Sequence, residues 1–146
     1  DDEMRARIAR HQRERAERVP GMTTLEAPRD LAAAIDQAVG AGTLHIVDCL
    51  TLWLTQQLMP LEDSGPNRPP APDWRAQTAL FIEAIRACPG PIVLVGNEIG
   101  LGVIPLGREV RAFVDALGTL NQQVAAACER VTLMAAGLPL TLKGQP

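Results

Sequence analysis

The chain has 146 residues, 47% of them hydrophobic and 21% charged, enough for one packed core spanning residues 1–146 and too apolar for global disorder. Fourteen Lys+Arg against 17 Asp+Glu leave a net charge of −3, which argues against a protein held on nucleic acid or anionic lipid by its overall charge. Aromatic residues make up 3%, with no Tyr, so a base-stacking single-strand binder is disfavoured as well. Cys49, Cys88 and Cys128 are odd in number, far apart and set among apolar residues. They read as reduced, buried thiols and not as a disulfide framework or a zinc site. No apolar stretch is long enough for a membrane span.

Residues 1–18 read as a helix. Asp1, Asp2 and Glu3 sit at its positive end and six arginines follow. Met4, Ile8 and His11 fall on one face at i, i+4 and i+7. The chain opens inside this charged pattern, as though entered in mid-protein. Val19-Pro20-Gly21 stops the helix, and Pro28 is expected to open a second one ending near Val39. Residues 43–50 read as a largely buried strand, with Thr51 capping a short helix to Met59. Five prolines and a glycine between Pro60 and Pro72 predict an exposed loop. A helix is predicted from Trp74 to Cys88, then a short apolar strand in IVLVG and an irregular segment NEIGLGVIPLG. The longest helical pattern covers 108–129, and RVTLMAAG with LPLTLK reads as a strand and its hairpin partner. Helices alternating with short apolar strands predict an α/β fold with a mainly parallel sheet, flanking helices and a C-terminal hairpin.

In such sheets ligands bind at the carboxyl ends of the strands. Asp48 follows the run Leu44–Val47, and Asn97-Glu98 follow Ile92–Gly96. A carboxylate there can hold Mg²⁺ beside a nucleotide's phosphates; equally, Asp48 and Glu98 can cap or brace neighbouring loops. His11 lies between Arg7 and Arg15 on one helical stripe, with Glu14 one turn on to orient its ring. The arginines suit a polyphosphate clamp, although the same spacing also describes an ordinary histidine on a salt-bridged helix. His45, set in mid-strand, reads as structural. The chain contains neither G-x-x-x-x-G-K-[ST] nor a strand-linked G-x-G-x-x-G, and no G-x-S-x-G nucleophile elbow.

Several segments together carry a resemblance: DDEMRARIARH, TLEAP, IVDCLTLWLT, IVLVGNEIGLGVIP, REVRAFVDALGTLNQQVA and AAGLPLTLK, in that order. They resemble the bifunctional adenosylcobinamide kinase / adenosylcobinamide-phosphate guanylyltransferase family of cobalamin biosynthesis, over nearly the whole chain. The resemblance implies a P-loop NTPase-like (RecA-like) fold whose first strand and Walker A loop lie upstream of DDEM. It implies a cytoplasmic location, a homotrimer, and adenosylcobinamide and its phosphate as substrates, with GTP, ATP and Mg²⁺ as cofactors. Phosphorylation of a hydroxyl is followed by transfer of GMP from GTP through a histidine, by position His11. Gln12, Arg13, Glu14 and Arg15 match a stretch that contacts GTP. Glu26 matches the glutamate of a T-x-E motif at the same site, and Asp48 a nucleotide or Mg²⁺ contact. Two local departures are a longer linker from His11 to Glu26 and Met22 where an aromatic is usual. The rival expectation is an inactive nucleotide-binding or assembly subunit of the same fold.

Overall fold

A computed structural model describes residues 2–26, 30–38, 40, 42–59 and 73–145. In chain order the elements are α1 (Asp2–Arg18), α2 (Leu31–Ala38), β1 (His45–Asp48), α3 (Leu50–Leu58), α4 (Trp74–Ala87), β2 (Ile92–Val95), a 3₁₀ turn (Ile99–Leu101), α5 (Arg108–Ala127), β3 (Val131–Ala135) and β4 (Leu138–Lys143). The expected Pro60–Pro72 loop and the starts and stops assigned to Pro28 and Val39 lie outside the described residues.

Helix starts follow side-chain chemistry where acidic residues are present. Asp73 accepts a hydrogen bond from the Arg75 amide at 3.1 Å, and Asp30 accepts one from Ala33 at 2.9 Å. Thr51 does not cap α3 as expected. The helix begins two residues earlier, with Cys49 at the cap position and no side-chain bond there, which leaves the Thr51 hydroxyl to face the end of β2. Helix α5 runs through Gly118 without a break.

β1 and β2 pair in parallel, with Asp48 opposite Val95, so the two predicted strand ends are adjacent. β3 and β4 form a separate antiparallel hairpin. Among the described residues the strands divide equally between this parallel pair and the antiparallel hairpin. Ala136 and Gly137 both have positive φ, 52° and 77°, the signature of a two-residue type I′ turn whose twist matches the strands it joins.

The core lies on one side of the β1–β2 pair. Phe81, Leu54, Leu117 and Leu120, from α4, α3 and α5, are fully buried, and Trp53 tilts against Phe81 with ring centroids 5.8 Å apart. Both strands alternate half-buried and exposed residues, so neither is buried on both faces as their apolar runs suggested. Ile46, Val93 and Val95 lie on the open face. The three cysteines are free, as expected, but half-buried and not buried. Burial pushes the Cys128 thiol above its usual range, partly offset by the Lys143 ammonium. That ammonium also donates to the Ala125 and Ala126 carbonyls, closing the C-terminal end of α5. No helix among the described residues is long and apolar enough to cross a membrane.

Candidate functional site

Two separate regions carry the predicted chemistry. The first is α1. Its 17 residues are unbroken, so Arg7, His11 and Arg15 share one stripe. Among its described side chains only Ala9 and Glu14 are even half-buried. His11 Nδ1 stands 3.9 Å from Glu14 Oε2, an ion-pair distance and too long for a hydrogen bond. Arg5 pairs with Asp2 in the first turn. Ile8, on the same face as His11, is exposed. Gln12, Arg13 and Arg15 are exposed along the helix, and Glu26 is exposed in the segment after it.

The second region is the carboxyl end of β1 and β2. Asp48 is exposed at the last position of β1. Beyond β2 a polar network gathers three elements. The Asn97 amide and its side-chain Nδ2 both donate to Thr51 Oγ1 of α3, at 3.1 and 3.0 Å. Asn121 of α5 donates through Nδ2 to the Asn97 carbonyl at 3.1 Å and to Glu98 Oε1 at 2.9 Å. The turn runs beside α5: a Cβ at Gly96 would stand 3.4 Å from Asn121 Oδ1, an ordinary van der Waals contact. Just past Glu98, a hollow of about 320 Å³ is bordered by Ile99, Gly102, Ile104 and Arg111. Arg111 ties the hollow's rim down by donating to the Pro105 carbonyl at 3.0 Å.

Neither Thr51, read as a helix cap, nor Asn121 was among the candidate site residues of the sequence. They lie 46 and 24 positions from Asn97, and no local spacing links them. No side-chain hydrogen bond between described residues joins α1 to this network. A larger groove of about 710 Å³, between α3, α4 and α5, is lined by Leu58, Trp74 and Phe113 and by none of the predicted site residues. Among the described residues His45 finds no hydrogen-bond partner for its buried Nε2.

Among the described residues no group of three or more His, Cys, Asp or Glu could hold a metal ion by itself. Asp48 fits the other arrangement, in which Mg²⁺ is held by one or two carboxylates and the phosphates of a substrate.

Residues 1–142 match the family model described as cobinamide kinase / cobinamide phosphate guanyltransferase. The chain belongs to this family. Its activity class is the family's, a kinase and a nucleotidyltransferase. It is similar to the bifunctional adenosylcobalamin biosynthesis protein CobP of Pseudomonas aeruginosa, with 47% identity over 146 residues, covering 100% of this chain and 78% of the relative. The corresponding CobU proteins of Escherichia coli and Salmonella typhimurium are each 33% identical, over 98% of this chain and 80% of their own length. These relatives place the chain in cobalamin biosynthesis and agree with the resemblance carried by the sequence motifs. The fold agrees in its coarser form: a mixed α/β structure with a small parallel sheet and flanking helices.

Proposed function

We propose that the protein phosphorylates adenosylcobinamide and then transfers GMP from GTP to the phosphate so formed, by way of a GMP–His11 intermediate. The observation that carries this reading is the match over residues 1–142 together with the setting of His11, exposed on an unbroken helix between Arg7 and Arg15. An exposed imidazole nitrogen can reach the α-phosphorus of GTP. The N–P bond forms as the bond to pyrophosphate breaks, and the phosphate oxygen of the acceptor later displaces the histidine. Splitting one displacement into two lowers the barrier to each. The arginine stripe neutralises charge building on the phosphates, and guanidinium forks suit phosphate oxygens.

Gln12, Arg13, Glu14, Arg15 and Glu26 are assigned to the GTP contact; all but the half-buried Glu14 are exposed, on α1 or just after it. Asp48 is assigned to the nucleotide's Mg²⁺, which when bound neutralises phosphate charge. ATP or GTP serves as phosphate donor. The working enzyme is proposed to be a cytoplasmic homotrimer.

The test is the intact mass of the full-length protein before and after incubation with Mg²⁺ and GTP. The expected result is a gain of one GMP that is labile to acid. His11→Ala is expected to abolish the gain and to lower guanylyl transfer by about 10³-fold or more, as loss of a nucleophile does. An adduct that persists in His11→Ala overturns the assignment.

A further inference from the structure

The Asn121 amide is placed in an unusual way for a mere brace. One Nδ2 hydrogen goes to the Asn97 carbonyl, which fixes the backbone after β2. The other goes to Oε1 of Glu98, an exposed carboxylate that water would satisfy without help. That second bond contributes little to stability, but it fixes which way the carboxylate points. With Oε1 engaged, Oε2 has no hydrogen bond to a described residue, and the hollow begins at the next residue of the chain, Ile99. Thr51 completes the restraint by accepting both Asn97 donors, so the Asn97-Glu98 turn is held from α3 on one side and α5 on the other.

The family's two reactions differ in what their acceptors need. Making cobinamide phosphate requires an alcohol, which must give up its proton as the new O–P bond forms. Guanylylation of cobinamide phosphate uses an oxygen that is already anionic. A carboxylate base therefore matters in the first reaction and much less in the second.

We propose that Glu98 is the carboxylate that orients the cobinamide hydroxyl and takes its proton in the kinase reaction, and that Asn121 is the residue that positions Glu98. The bond between the hydroxyl oxygen and the γ-phosphorus of the nucleoside triphosphate forms. The bond from that phosphorus to the bridging β–γ oxygen breaks, and the nucleoside diphosphate leaves. The hydroxyl proton passes to Glu98 Oε2 and from there to solvent. This inference rests on the family's kinase activity and not on the assignment of His11.

The experiment measures both reactions separately in the full-length enzyme carrying Asn121→Ala, Glu98→Ala or both. Glu98→Ala is expected to lower kcat for cobinamide phosphorylation by about 10²–10⁴-fold. For Asn121→Ala the expected loss is about 10–100-fold with the nucleotide KM within about two-fold, the pattern of a group that acts on the transition state. In both variants the kinase reaction should lose at least about ten times more than guanylyl transfer from GTP to preformed cobinamide phosphate. The double variant should be no slower than Glu98→Ala, because Asn121 acts only through that carboxylate. Multiplying losses, equal losses in the two reactions, or an Asn121→Ala enzyme as fast as the parent each overturn the proposal. If Asn121→Ala fails to fold, the near-isosteric Asn121→Asp, which cannot donate to Glu98, is read in its place against the same outcomes. Absence of a GMP adduct on His11 together with the expected kinase pattern sinks the histidine reading alone. An adduct on His11 with multiplying losses sinks this one alone.

Discussion

Helices α1 and α5 are of similar length and differ in almost everything else. α5 has 20 residues and turns a stripe of Leu117, Leu120 and Val124 into the core, with Asn121 next along the helix facing the polar turn after β2. α1 has 17 residues, six arginines, and no described side chain that is fully buried. In α5 the packing that stabilises the fold also fixes the position of a polar group to within a hydrogen bond. In α1 charge is displayed without packing behind it. Precision therefore comes from the body of the protein, and electrostatic reach from the arm.

The strongest way to break this comparison is to truncate one apolar residue on each helix. Leu120→Ala should destabilise the protein by about 2–5 kcal/mol, since it removes a fully buried side chain from a junction of three helices. Ile8→Ala on α1 should change stability by less than about 0.5 kcal/mol. Chemical denaturation of both variants measures the difference, and equal losses would show that α1 is part of the packed body.

A smaller effect sharpens the boundary between core and polar turn. Thr51→Val keeps the shape of the side chain but removes the acceptor of two Asn97 donors, and should cost about 1 kcal/mol. A loss as large as that of Leu120→Ala would mean that the turn is structural first and chemical second.

The smallest effect concerns the far end of α5. The raised Cys128 pKa leaves less thiolate at a given pH, so alkylation at pH 8 should run several-fold slower than for a free cysteine. Replacing the neighbouring cation by Lys143→Met should slow it further, since Lys143 pulls that pKa down. Rates followed by mass spectrometry decide this; a Lys143→Met protein that reacts faster would reverse the sign.

Much of the fold was legible because its signals are local. Apolar runs closed by Asp48 and by Gly96 marked the two parallel strands, and Ala136-Gly137 between two β-rich segments marked the hairpin. The boundary of α3 was misplaced because Thr51 is a good cap residue that the tertiary structure uses for something else. At the candidate site the carboxylates Asp48 and Glu98 were visible as strand endings. Their supports were not: Asn121 sits in an ordinary helical pattern, and only the fold brings it to Glu98 across 23 positions. The spacing that sets Ile8 and His11 on one face of α1 cannot say whether anything covers that face, and Ile8 is exposed.

The bond from the Asn97 amide to Thr51 Oγ1 has a spectroscopic consequence. That amide lies outside the strand ladder and donates to a side-chain hydroxyl. Its deuterium exchange should therefore follow the rotation of one threonine and not the opening of the sheet. Its nitrogen resonance thus becomes a built-in gauge of how tightly the turn between β2 and the 3₁₀ segment is held as substrates arrive.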